Sequence, residues 1–281
     1  MDIRLINEDN IEEYSELLDP DTARNISREY FSGLALHKEE TEPAQSAIVW
    51  ELKNTEDDIE TEAELEYIRL EDEKAGELLL KSFKEEISDG NVKRSYFELE
   101  SFDDPVEKAT SAGGYAPGKK ESKNIVVSLE ELANLSIMKK PTASYVTAIN
   151  ELMVRQYRKG ITNCLFHGRK GLLEDLAFLP MSWFDQDVSS CVQTDGRATG
   201  FLLVHKTESD RLVVDLLFAM EPDAKLNLLQ MIRYSVNAAM EKYPADTEVI
   251  LKRHNDMSVA LINKLFPDKK GVEVLAGKRE E

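Results

Sequence analysis

Leu212-Val213-Val214-Asp215-Leu216-Leu217-Phe218-Ala219-Met220 is an almost unbroken apolar run, and together with the residues after it this run decides the fold. Rich in β-branched and large side chains, it reads as a strand buried on both faces. Glu221-Pro222-Asp223 comes next. Pro at a first helical position lacks only an N–H that would be unpaired there, and the flanking acids meet the positive end of the helix dipole. From Ala224, apolar residues recur at Leu228, Leu229, Ile232, Val236, Ala239 and Met240, the spacing of one helical face, and Pro244 ends the helix. Residues 211–243 are therefore a strand, a very short turn and a long helix.

A chain of 281 residues, 42% apolar, has material for two cores of about 140 residues each. No stretch approaches the roughly 18 uninterrupted apolar residues of a membrane span, and Met1-Asp2-Ile3-Arg4 has no signal-peptide pattern, so a cytoplasmic protein without a membrane partner is expected. The net charge of −19 is unevenly placed: residues 1–136 hold 35 of the 54 acidic side chains and 15 of the 35 basic ones. The first half is thus near −20 and the second near +1, an asymmetry that argues for two domains, 1–136 and 137–281, and against a nucleic-acid partner. Cys164 and Cys191 lack zinc-ligand spacing and read as reduced, packed thiols. His37, His205 and His254 are scattered, so no metal site is expected.

Outward from the central unit, the same order of elements occurs in both halves. In the first, a strand over 1–6 precedes helical pieces at 11–18 and 22–30, a hairpin of strands 31–37 and 44–52, and an acidic, solvated connection over 53–62. A strand over 63–70, a helix over 75–87, a strand over 92–99, a short helix over 105–112, a loop over 116–124 and a strand over 125–129 complete it. The second half begins with a helix over 143–158 and a less regular stretch in which Leu172, Leu173, Leu176 and Phe178 suggest a short helix. A hairpin turned at Asp195-Gly196 comes after it, then the 211–243 unit, a strand over 247–252, a helix over 257–266 and a closing strand over 272–275.

That order resembles the GNAT superfamily of acyl-CoA-dependent N-acyltransferases, present as a tandem pair. The resemblance is carried by residues 211–243, by Glu248-Val249-Ile250-Leu251-Lys252-Arg253-His254-Asn255 with the helix Ala260 to Phe266, by Gly33-Leu34-Ala35-Leu36, by Ala47 to Leu52, and by Ala63 to Ile87. It implies an α/β (α+β) fold of two GNAT-like domains, each a mixed, mostly antiparallel sheet flanked by helices. It also implies acetyl-CoA or CoA as ligand, with a small amine or peptide amino group as acceptor and no metal. The family's loop, [R/Q]-x-x-G-x-[G/A], closes glycine N–H groups around a pyrophosphate at a helix start. Here Glu71, Lys74 and Gly76 stand at the three motif positions of the first half, and Met220 to Lys225 has no glycine. A carboxylate about 6 Å from a phosphate costs on the order of 1 kcal/mol at an effective dielectric near 40, so Glu71, Asp72, Glu73, Glu221 and Asp223 are better explained as helix N-terminal stabilisers.

In the near-neutral second half, the resemblance brings the strand around Phe218 and Met220, with Lys225 and Asn255, to a CoA-type ligand; the plainer reading makes Lys225 a solvated helix residue and Asn255 a helix cap. Glu51, Glu66 and Asp215 lie on central strands, where a buried carboxylate can accept an amine proton, or they point to solvent. Arg155, Arg158, Lys159, His167, Arg169 and Lys170, punctuated by Gly160, Gly168 and Gly171, form a basic patch that holds an anion or faces solvent or the acidic domain. Two functions remain: an N-acetyltransferase of unorthodox CoA binding, its acidic domain recruiting a cationic amine, or a non-catalytic binding or scaffold protein that has lost the pyrophosphate loop. A hybrid, one half structural and the other active, also fits the charge asymmetry.

Overall fold

The computed structural model describes residues 1–281 apart from 40–41, 55–59, 89, 168–175, 177, 253–255 and 281. It comprises two compact units, residues 1–122 with 272–281, and residues 123–271.

The first unit holds a seven-stranded sheet in the order β1 (Asp2–Ile6), β2 (Phe31–His37), β3 (Ser46–Asn54), β4 (Thr61–Arg69), β5 (Val92–Leu99), β13 (Glu273–Glu280) and β6 (Gly118–Glu121). All neighbours are antiparallel except β4 and β5. Helices α2 (Glu73–Ser88) and α3 (Asp104–Ala112) cover one face, where Phe83 of α2 packs with Ile48, Trp50, Leu65 and Phe97 of the sheet. The other face carries Ala35, Ala47 and Val49 against Tyr14, Leu17, Leu18 and Ile26. The helices expected over 11–18 and 22–30 are shorter: a single 3-10 turn at Ile11–Tyr14, and α1 (Pro20–Asn25). The Asp19 carboxylate accepts from Thr22 N at 2.9 Å and from its hydroxyl at 2.7 Å, fixing the start of α1.

The second unit holds a six-stranded sheet in the order β7 (Ile125–Ser128), β12 (Glu248–Leu251), β11 (Leu212–Ala219), β10 (Arg197–Lys206), β9 (Ser190–Thr194) and β8 (Val146–Ala148), with β11 and β12 parallel. Helices α4 (Leu129–Ala133), α6 (Ala224–Lys242) and α7 (Asp256–Leu265) lie on one face, and α5 (Val154–His167) packs on the other. α6 buries Leu228, Met231, Ile232, Val236 and Ala239, each large side chain contributing about 1.5–3 kcal/mol. At the β9–β10 turn both Asp195 (φ 51°) and Gly196 (φ 71°) are left-handed, as a two-residue hairpin of native twist requires.

Three expectations are corrected. Residues 143–158 are not one helix: Val146 and Ala148 face inward on edge strand β8, paired with β9, a 3-10 turn comes after it at Ile149–Glu151, and the helix spans Val154–His167. The spacing of Val146, Ile149 and Leu152 suits a helix as well as this strand and turn, and pairing with β9 decides between them. Met153, just before the helix, is 75% exposed. The expected boundary at 136/137 lies instead at 122/123, because Ile125–Ser128 pairs with β12 and the closing strand pairs with β5 and β6. The loop expected over 116–124 contains β6. The charge asymmetry survives, with 36 acidic and 16 basic residues in the first unit and 18 and 19 in the second. No helix among the described residues is long and apolar enough to cross a membrane.

Candidate functional site

In both units the strand before the long helix is bulged and then parts from its parallel neighbour. Val49 and Trp50 of β3 face Tyr67 and Leu65 of β4, leaving Glu66 as the extra residue; Leu203 and Val204 of β10 face Leu216 and Val214 of β11, leaving Asp215. The parallel pairing stops at Leu65–Phe97 in one unit and at Val214–Leu251 in the other. Beyond those pairs each strand has one edge with no strand partner among the described residues. A bulge re-aims a side chain, and here it re-aims a carboxylate at the point where the sheet opens.

In the second unit that carboxylate is enclosed. Asp215 is 6% exposed, its Oδ2 bonded to His205 Nδ1 from β10, and its Oδ1 accepting from Lys252 Nζ at 3.2 Å just past β12. Trp183, in a 3-10 turn at Met181–Trp183, sets its ring 6.4 Å from the imidazole. With Nδ1 engaged by Asp215, Nε2 faces away from the carboxylate. On the opposite face an apolar cavity of about 60 Å³ is lined by Val214, Leu217, Ile232, Leu251, Lys252 and Leu261 among others. Lys252 belongs to both, which places the opening between β11 and β12 between an apolar slot and a polar trio.

The matching positions of the first unit, counted from the bulge, are Glu51, Glu66 and Glu98. Lys53, expected in a solvated connection, instead lies in β3 beside its last residue, 2.9 Å from Glu51, 3.2 Å from Glu66 and in contact with Glu64. Burial pulls its ammonium down, and the three carboxylates outweigh it and hold it well above the usual lysine range. Burial pushes Glu64 up to about 7 against the attraction of Lys53, and Tyr96 donates to it at 3.0 Å. Glu98 pairs with Lys120 at 2.6 Å.

The helix starts differ too. In the first unit Asp72 Oδ1 accepts from Ala75 N at 2.8 Å, so the protein's own carboxylate occupies the N-terminus of α2. Gly76, the one glycine matching the family loop, serves packing: a Cβ there would lie 2.4 Å from Ala109 Cβ. In the second unit Asp223 is the N-cap of α6, its side chain makes no capping hydrogen bond, and Pro222 stands before the cap rather than inside the helix.

Of the sequence-predicted residues, Phe218 and Met220 both pack in the core under α5, Phe218 at 9% exposure and Met220 partly buried. Lys225 is exposed in the first turn of α6. Asn255 and His254 lie outside the described residues, as do Gly168, Arg169, Lys170 and Gly171 of the basic patch and the leucines at 172 and 173. Arg155, Arg158, Lys159 and His167 are exposed along α5, and Phe178 is 55% exposed. Burial pushes the Cys164 thiol up to about 12 and the Cys191 thiol up to about 11, the chemistry of inert packed cysteines. No group of three or more potential metal ligands occurs among the described residues. Sequence reasoning misses the roles of His205 and Lys252; the one signal for the first is the inward alternation of Phe201, Leu203 and His205 on the strand beside Asp215.

Two mixed sheets, each with a bulged strand that splays from its parallel neighbour at the start of a long helix, define the GNAT fold in tandem. Solved structures carry the same fold over nearly the whole chain. A tandem GNAT protein from the clavulanic acid biosynthesis pathway is 11% identical, with 99% of this chain and 98% of that one covered and a TM-score of 0.62. An Enterococcus faecalis protein described as a probable N-acyltransferase is also 11% identical, with coverages of 99% and 72% and a TM-score of 0.56. A putative acetyltransferase from Pyrococcus horikoshii is 10% identical, with coverages of 100% and 89% and a TM-score of 0.53. No protein-family model matches the sequence, and no curated protein matches it significantly. The likeness is one of fold.

Proposed function

We propose that the second unit binds an acyl-CoA thioester, acetyl-CoA in the simplest case, and transfers its acyl group to a small amine in the cytoplasm, while the first unit is structural. The observation that carries this is the enclosed Asp215–His205–Lys252 trio at the opening between β11 and β12, beside the apolar cavity. The residues present fit the ligand in part. The edge of β11 around Phe218, which has no strand partner among the described residues, and the apolar lining suit a pantetheine arm, and the α6 N-cap Asp223 makes no side-chain capping hydrogen bond. Lys225 brings positive charge to that turn, and Glu221 and Asp223 oppose it, so weak binding is expected; each acid lowers affinity about tenfold at ~1.4 kcal/mol.

The thioester supplies the activated acyl group. Asp215 orients His205 so that Nε2 takes the proton of the attacking amine, and Lys252 balances the buried carboxylate. As the N–C bond forms and the C–S bond breaks, the thiolate leaves and is protonated. In the first unit Asp72 fills the anion position and Lys53 fills the carboxylate cluster, which supports a structural role there.

Titration of acetyl-CoA by calorimetry, paired with thiol release in the presence of an amine panel, tests the proposal. Heat at sub-millimolar to millimolar ligand and thiol release that Asp215→Asn abolishes support it. The alternative, a non-catalytic GNAT-fold binding or scaffold protein, is motivated by the acidic, glycine-free turn at Glu221–Asp223 and predicts no CoA binding; thiol release with any amine ends it. No heat and no thermal shift at millimolar acetyl-CoA ends the acyltransferase reading.

A further inference from the structure

Tyr157 stands out among the buried polar groups of the second unit. It is 1% exposed on α5, its ring meets Phe201 edge-on at 6.0 Å and 89°, and its hydroxyl has no hydrogen-bond partner among the described residues. A buried hydroxyl left unpaired is a cost that a phenylalanine would not carry, so the group calls for a partner. The surroundings say where that partner lies. Phe201 opposite Phe218 and Leu203 opposite Leu216 are rungs of β10 and β11, and past the bulge His205, which stands opposite Val213, bonds the side chain of the bulged Asp215. Tyr157 packs into the cluster that contains both of those rungs. Gly160, one turn on, presses α5 so close that a Cβ would come within 2.7 Å of Phe201 Cζ, so the phenol has no room to swing off the sheet. Burial pushes the phenol well above its usual range, with Arg158 pulling down and Asp215 pushing up, so the hydroxyl keeps its proton as a neutral donor.

We propose that the Tyr157 hydroxyl is the hydrogen-bond donor to the acyl oxygen of a thioester bound beside Asp215 and His205, and hence a catalytic residue of the second unit. The inference rests on the acyl-transfer reading. When an amine attacks, the N–C bond forms, the carbonyl π electrons move onto the oxygen that Tyr157 holds, and the amine proton passes to His205 Nε2. Collapse re-forms the C=O bond and expels the thiolate, and Tyr157 retains its own proton throughout. A neutral donor in a place poor in water suits a charge that exists only during the reaction.

Acetyl-CoA and CoA, which differ by the acyl group alone, are titrated separately into the wild-type protein and Tyr157→Phe, and the Tm of each is recorded. The expected result is a loss of about fivefold in acetyl-CoA affinity, the worth of one neutral hydrogen bond, with CoA affinity unchanged and Tm not lowered. Unchanged affinity for both ligands overturns the proposal, as does an equal loss for both accompanied by a fall in Tm, which marks a structural hydroxyl. A wild-type protein that takes up neither ligand overturns the acyl-transfer reading itself, and this inference with it, independently of what the variant does.

Discussion

Glu64→Gln removes one group's share of the pH dependence of the first unit's stability. Glu64 has 17% of its side chain exposed and shares Lys53 with Glu51 and Glu66, so its ionised form is crowded by like charge as well as short of water. Its carboxyl moves from an ordinary 4.5 to about 7. At 1.36 kcal/mol per pH unit that gap corresponds to about 3 kcal/mol between neutral and ionised forms. Because the folded value is the higher one, this stability is present in full below pH 4.5 and is lost as pH rises through 7. Glutamine stays neutral and can still accept from Lys53. The variant is therefore expected to match the wild type near pH 5 and to exceed it by about 2–3 kcal/mol at pH 8. Trp50 and Trp183 divide between the units, so guanidinium unfolding followed by fluorescence in a Trp183→Phe background reports on the first unit alone. Subtracting wild type from variant at each pH cancels the other titrating groups. A difference that stays flat from pH 5 to 8, or a variant that is the weaker at pH 8, would refute this account of the cluster.

Gly76→Ala drives a methyl to 2.4 Å from Ala109 Cβ and 2.6 Å from Leu70 Cδ1, and overpacking of that kind costs about 1–3 kcal/mol in the first unit. The double variant Gly76→Ala, Ala109→Gly is expected to recover part of it in the same unfolding assay, and no loss in the single variant would show that α2 and α3 have slack. Native Cys164 and Cys191, both fully buried with thiols held at about 12 and 11, are expected to ignore a thiol reagent until denaturant is added and then to react with two equivalents. Rapid native labelling would contradict their packing.

The elements legible in the sequence are those whose local chemistry and burial agree. The 212–220 run is apolar because both faces of β11 are covered, and Asp195-Gly196 is a hairpin because only left-handed residues fit that turn. Asp72 and its neighbours are recognisable as helix-start residues, and Asp72 does cap α2. The features that escape a sequence reading depend on which strands meet. A closing strand is readable over 272–275, but nothing local says that it runs on over Glu273–Glu280 or that it pairs with β5. The bulges at Glu66 and Asp215 arise from register, which single-strand alternation cannot show. Asp215 is a candidate base from sequence, yet its partners stand 10 and 37 residues away on neighbouring strands, so the trio exists only once β10, β11 and β12 are side by side. Lys53 reads as solvated amid acids, and the same acids fold around it.

Hydrogen exchange of the intact chain with and without millimolar acetyl-CoA tests most directly whether the second unit, and only the second, holds a working opening. Slowed exchange confined to residues 215–228 and 248–252, with 61–80 unchanged, is the expected result, because the edge of β11 that has no strand partner among the described residues and the start of α6, where Asp223 makes no side-chain cap, are where a thioester would be gripped. Slowed exchange over 61–80 instead, or none anywhere in the chain, would contradict the account.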